Sequence, residues 1–167
     1  MNGNFPDVFK KKDLDLHNII ISLCVRVVHE IGTAKSNTDY PLSVSWCHLM
    51  ASLVAATLPV KLVDGYWGGS KFYHSWVTTP NGHIIDVSPI KCRSAPIMYP
   101  KKASEQCSIH WNKVFKKATK RQQGHFDKIR ASEKFALAFK DVMKKTVTIR
   151  TELKKAYKEC CREKPAK

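Results

Sequence analysis

The tripeptide Pro80-Asn81-Gly82, with β-branched and aromatic residues on both sides, constrains this chain more than any other segment. Tyr73 to Thr79 and His83 to Val87 read as two strands. Asn-Gly between such runs signals a tight hairpin, because the turn demands residues that accept positive φ. With the turn centred near Pro80-Asn81, residues whose numbers sum to about 160–162 oppose one another, so His74 faces Asp86 or a close neighbour. Opposed residues project to the same face of the sheet. Local geometry alone is therefore expected to hold an imidazole against a carboxylate.

Ahead of the hairpin, Leu14 to Ile31 carries apolar residues at 16, 19, 20, 23, 27, 28 and 31, close to the helical period, and Gly32 supplies a stop. Lys35 to Leu42, with Asn37, Asp39 and Pro41, reads as a loop. Ser45 suits the N-cap of a second helix, Trp46 to Leu58, whose Leu49, Met50, Leu53, Val54 and Leu58 form an apolar face and which Pro59 ends. Val60 to Trp67 reads as a strand, and Gly68-Gly69-Ser70 as a link to the hairpin. After Pro89 the pattern is irregular, with further prolines at 96 and 100. Beyond Ser104 it becomes lysine-rich helix: Phe126, Ile129, Phe135, Phe139, Val142, Ile149, Leu153, Ala156 and Cys160 recur at mostly helical intervals, which one long helix or a helical hairpin satisfies. The expected class is α+β, a helix on a small antiparallel sheet forming a core over 1–104, with a basic helical extension, 105–167, packed on it.

Charge divides the chain at the same place. Residues 1–100 hold nine Lys/Arg against seven Asp/Glu; residues 101–167 hold twenty against seven, supplying most of the net +15. Such a surplus suits a nucleic acid or another acidic partner, although solvated lysines are also common on helix faces, and the phenylalanines fall at packing intervals rather than among the lysines. Met1 to Lys12 lacks the apolar stretch of a secretory signal, and Ile19 to Val28, interrupted by Ser22 and Arg26, is too short to span a bilayer. A cytoplasmic protein, of its own cell or of a host cytosol, with no transmembrane segment is the expectation. The six cysteines (24, 47, 92, 107, 160 and 161) lack paired spacing, which favours reduced thiols. Cys107-Ser108-Ile109-His110 with Cys92 is too irregular for structural zinc, and neither a phosphate loop nor a dinucleotide fingerprint occurs, so no metal or cofactor is expected.

Cys47 falls in the first turn of the second helix. There the helix dipole and unpaired N–H groups favour a thiolate, and an adjacent imidazolium would favour it further. A free cysteine is also a common buried apolar filler. What sets Cys47 apart is its company: a helix-start cysteine followed by a histidine and an aspartate that a hairpin holds together is an arrangement for acyl transfer. In it the carboxylate orients the imidazole and stabilises its charged form, while the other ring nitrogen takes the thiol proton. The Cys47 backbone N–H is the first oxyanion donor; the second stays open between Trp46 N–H and a loop residue such as Asn37. Trp67, Tyr73 and Trp76 are candidates to line the cleft, with core packing as their other reading.

Cys47 at a helix start, Leu58-Pro59-Val60-Lys61-Leu62-Val63-Asp64-Gly65-Tyr66, His74-Ser75-Trp76-Val77 and Gly82 with Ile85-Asp86-Val87-Ser88-Pro89 together resemble the core of the transglutaminase-like superfamily. The resemblance covers about residues 43–90. Protein transglutaminases commonly place an aromatic directly after the cysteine, whereas here Trp46 precedes it and His48 follows; Lys61 stands where arginine is frequent. The 27-residue step from Cys47 to His74 is closer to small bacterial members, including leader-peptide proteases. The resemblance implies a papain-like α+β fold with Cys47 as nucleophile, His74 as general base and acid, and Asp86 as orienter. It further implies a cysteine protease, amidase or other amide hydrolase acting on a protein or peptide through a thioester. The alternatives are a transglutaminase or acyltransferase that passes the acyl group to an amine, and a catalytically silent fold that binds nucleic acid or an acidic partner through residues 105–167.

Overall fold

The computed structural model describes residues 9–32, 46–67, 72–87, 96–101 and 115–162. In chain order they form α1 (Lys11–Gly32), α2 (Trp46–Thr57), β1 (Lys61–Trp67), β2 (Phe72–Thr78), β3 (Ile84–Asp86), β4 (Ile97–Tyr99), β5 (Phe115–Lys117), α3 (Lys120–Ala131), α4 (Glu133–Lys145) and α5 (Val147–Arg162). The class is α+β. The loop expected at Lys35–Leu42, the Ser45 cap, Asn37, the Gly68-Gly69-Ser70 link, Ser88-Pro89, Cys92, Cys107 and His110 lie outside the described residues.

α1 starts three residues earlier than the apolar pattern indicates. Asp13, in its first turn, is buried where it accepts a hydrogen bond from Asn81 Nδ2 at 2.9 Å, so the helix start is pinned to the hairpin turn. Its inner stripe is Leu16, Ile19, Ile20, Leu23, Cys24, Val27 and Ile31; Val28, counted with the stripe in the sequence, is half exposed. Burial pushes the Cys24 thiol up to about 12, which makes it an inert filler of the kind a free cysteine commonly is. α2 buries residues on most of its circumference, from His48 to Thr57, because α1, α4 and the sheet all close on it.

The strands form one antiparallel sheet in the order β4-β3-β2-β1-β5. The β2–β3 turn forms as its residues require: Gly82 has φ 86°, and its N–H donates to Thr79 O at 2.8 Å. The register pairs Val77 with Ile85 and Thr78 with Ile84. One step further along, Asp86 lies opposite Trp76, so His74 meets Asp86 diagonally on a shared face rather than head-on.

β4 and β5 have no counterpart in the sequence reading. Each is three residues long, too short to show a period, and each exists because a neighbouring strand offers it backbone partners at the sheet edge, β3 for β4 and β1 for β5. The single long helix or hairpin expected at the C-terminus is instead three helices, divided at Ser132 and Thr146. Ser132 adopts ψ 139°, donates its hydroxyl to Ile129 O at 2.6 Å and caps α4 by accepting from Phe135 N–H at 3.3 Å. Thr119 caps α3 with a reciprocal capping box through Gln122.

The main core lies between the helices and one sheet face. It joins the α1 stripe and Leu49, Met50, Leu53 and Val54 to Val77, Ile85 and Val87, and to Phe135, Val142, Ile149 and Leu153 from the C-terminal helices. The other sheet face carries a smaller cluster of Val63, Trp76 and Phe115, with Ile84 and Tyr99 against it. His74 and Asp86 share the side of this smaller cluster.

Candidate active site

Each residue of the ordered trio takes its place from a different constraint. Cys47 is the second residue of α2, so its N–H is among those that a helix start leaves without an intrahelical partner. His74 comes from the middle of β2 and Asp86 ends β3. His74 Nε2 donates to Asp86 Oδ1 at 2.9 Å, and both side chains are only 1% exposed. Nδ1, the nitrogen left over, is buried and makes no hydrogen bond to a nitrogen or oxygen among the described residues. Besides Asp86, Cys47 is the side chain that acts on this ring, favouring its charged form. Burial opposes charge on His74, but hydrogen bonding and charge from Asp86 and Cys47 outweigh it and push its pKa from 6.5 up to about 9. The structure thus brings Cys47, His74 and Asp86 together, with the imidazole set up to be an imidazolium at neutral pH. Cys47 itself is partly exposed, unlike the other two.

Of the cleft candidates, Trp76 is fully buried and lies against His74 with ring centroids 6.2 Å apart, backed by Phe115 at 5.2 Å; it forms a wall rather than a mouth. Gly65, opposite His74 on β1, leaves room for that wall: a Cβ there would stand 2.6 Å from the Trp76 ring and 2.0 Å from Lys116 O. Trp46 begins α2 and packs against the main core. Tyr73 projects to the sheet face opposite His74, half exposed, and stacks on His125 at 4.0 Å beside Tyr66 and Phe126. Trp67 ends β1 opposite Phe72 and Phe115.

A second constellation, absent from the sequence reading, sits behind the first. His48, directly after Cys47, donates from Nδ1 to Ser75 Oγ, and Ser75 directly follows His74. Ser75 donates in turn to Asp64 Oδ1 at 2.6 Å. Arg130 of α3 clamps both Asp64 oxygens at 2.9 and 2.6 Å, and Gln123 donates to Oδ2 at 2.8 Å. Burial works to raise the Asp64 pKa, yet the hydrogen bonds from Arg130, Ser75 and Gln123 and the guanidinium charge hold it below the usual carboxylate value. Burial pushes His48 down to about 4; Asp64 pulls the other way, and Arg130, His74 and His125 add to the fall. His48 is therefore a neutral ring with its proton on Nδ1. The sequence holds half a signal for this group, since His48 and Ser75 each adjoin a trio member. Nothing singles out Arg130, which lies 66 residues from Asp64 among many other basic side chains.

Among the described residues no three His, Cys, Asp or Glu side chains gather as a metal site, and no helix is long and apolar enough to cross a membrane. Comparison of the chain with protein-family models, curated proteins and solved structures gives no match.

Proposed function

We propose that this protein is a transglutaminase-like cysteine hydrolase that cleaves an amide bond of a protein or peptide through a thioester on Cys47. The observation that carries the reading is the buried His74–Asp86 pair at 2.9 Å with Cys47 acting on the same ring. In the resting state the thiol proton sits on His74, and Asp86 balances the imidazolium. The Cys47 thiolate attacks the amide carbonyl carbon, forming the C–S bond and an oxyanion whose first donor is the Cys47 backbone N–H at the helix start, with the Trp46 N–H as a candidate for the second. Collapse breaks the C–N bond as His74 passes its proton to the leaving nitrogen. Neutral His74 then takes a proton from water, whose oxygen attacks the thioester; the acid departs and the thiolate–imidazolium pair is restored. An amine in place of water turns the same intermediate into a cross-link, so hydrolysis and transamidation differ only in the second nucleophile.

The test is the pH dependence of Cys47 alkylation by iodoacetamide, resolved by mass spectrometry, in the wild type and in His74→Ala. The expected result is fast labelling well below the unperturbed cysteine pKa of about 8.5, lost in the variant. Labelling of Cys47 indistinguishable from that of the exposed Cys161 would sink the reading.

A second reading draws on the exposed Lys116, Lys117, Lys120, Arg121 and Lys128 around β5 and α3, which give an acidic partner or a nucleic acid a place to bind whether or not Cys47 reacts. RNA or DNA binding that weakens steeply with salt and survives Cys47→Ala is its signature; absence of binding at low salt removes it.

A further inference from the structure

We propose that Arg130, Asp64, Ser75 and His48 form a positioning relay for the Cys47–His74 pair, with Arg130 on α3 as its outer anchor. This rests on the reading of Cys47 as nucleophile and adds to it four residues that touch no reacting atom. The argument is one of adjacency. Consecutive strand residues point to opposite faces, so His74 and Ser75 turn from the same stretch of β2 to the two sides of the sheet. His74 finds Asp86 of β3 on one side, and Ser75 finds Asp64, its partner across β1–β2, on the other. On α2, Cys47 meets His74 while His48 meets Ser75. The His48–Ser75 bond therefore ties the start of α2 to β2 one residue away from both reacting groups.

Each link also fixes the direction of the next. Arg130 neutralises Asp64 and occupies both of its oxygens, Asp64 orients the Ser75 hydroxyl as a donor, and the Ser75 oxygen lone pair then selects the Nδ1–H form of His48. All but Arg130 are buried, the three side chains being no more than 6% exposed, so no water competes freely for these bonds. A chain of determined directions has one geometry, and a thiolate–imidazolium pair needs one: a displacement of about 1 Å can cost on the order of a hundredfold in rate. The relay also brings α3, from the basic end of the chain, into the construction of the site.

A purely structural network would affect stability and leave the reactivity of Cys47 in the folded protein unchanged. Ser75→Ala, Ser75→Thr and Arg130→Lys in the full chain separate the two cases, read by site-resolved alkylation of Cys47 from pH 5 to 9 with folding followed by circular dichroism. Ser75→Ala is expected to slow labelling at neutral pH roughly tenfold or more and to move the profile toward that of a free thiol; Ser75→Thr, which keeps the hydroxyl, is expected to restore it to within about threefold. Arg130→Lys replaces a two-pronged clamp by a point charge and is expected to lie between them. A folded Ser75→Ala with the wild-type profile overturns the relay; if that variant does not fold, a wild-type profile in Arg130→Lys overturns it. If wild-type Cys47 labels no faster than Cys161, the catalytic reading fails first. Activated wild-type Cys47 with unaffected variants removes the relay alone.

Discussion

His74 and His48 are buried to the same degree, each 1% exposed, and each leads into a hydrogen-bonded chain that ends in an aspartate. Their proton affinities nevertheless part, to about 9 for His74 and about 4 for His48. Burial pushes both down, so the difference lies in what answers it. His74 bonds the Asp86 carboxylate directly and has a thiol, a latent second anion, acting on it as well. His48 reaches its carboxylate only through a hydroxyl, and that carboxylate is already neutralised by Arg130. A histidine near an aspartate is thus not by itself a charged histidine: direct contact, and whether a cation has claimed the carboxylate first, decide the sign. One sheet face carries a directly paired imidazole and carboxylate, and the other a network whose carboxylate a cation has already neutralised.

Paired substitutions break this comparison most sharply. Asp86→Asn is expected to lower Cys47 alkylation or amide turnover on the order of 10²–10⁴-fold, because the imidazolium loses its counter-charge. Asp64→Asn is expected to register first in urea unfolding, at about 3 kcal/mol, the low end for a broken buried pair because Arg130 is partly exposed. Equal effects of the two changes on both measurements would erase the distinction.

The pH dependence of stability sharpens it further. The His74 pKa is raised in the folded state, so its contribution is fully present below 6.5 and fades as pH climbs through about 9. The His48 pKa is depressed, so its contribution is present above 6.5 and fades as pH falls toward about 4. Denaturant midpoints measured from pH 4 to 10 should therefore lose their alkaline decline in His74→Gln and part of their acid decline in His48→Gln. The reverse assignment would contradict the two environments.

Smaller effects are expected at the margins of each group. Gly65→Ala, which drives a methyl into the Trp76 ring and the Lys116 carbonyl, should cost about 1–3 kcal/mol and loosen β5 on the His74 side. Asp127→Ala removes a largely exposed carboxylate 3.4 Å from Arg130 and should change stability by no more than about 0.5 kcal/mol, with Cys47 labelling untouched. A large effect there would mean that Arg130 depends on Asp127 rather than on Asp64.

What the sequence determined by itself was everything that local rules reach. The hairpin follows from Asn81-Gly82, the α1 stripe and the apolar face of α2 from helical spacing, and the shared face of His74 and Asp86 from strand alternation, the observed register summing to 162, within the range that the turn implies. Each of these depends on residues a few positions apart, where turn sterics and side-chain periodicity dominate. Tertiary structure decided the rest. β4 and β5 are strands only because a sheet edge receives them, the C-terminal helix divides at the exposed cap Ser132 and at the buried Thr146, and Arg130 reaches Asp64 only once α3 packs on β1. The physical reason is that a buried carboxylate selects its partner by desolvation and geometry, and neither is written in the spacing of residues that meet from opposite ends of the chain.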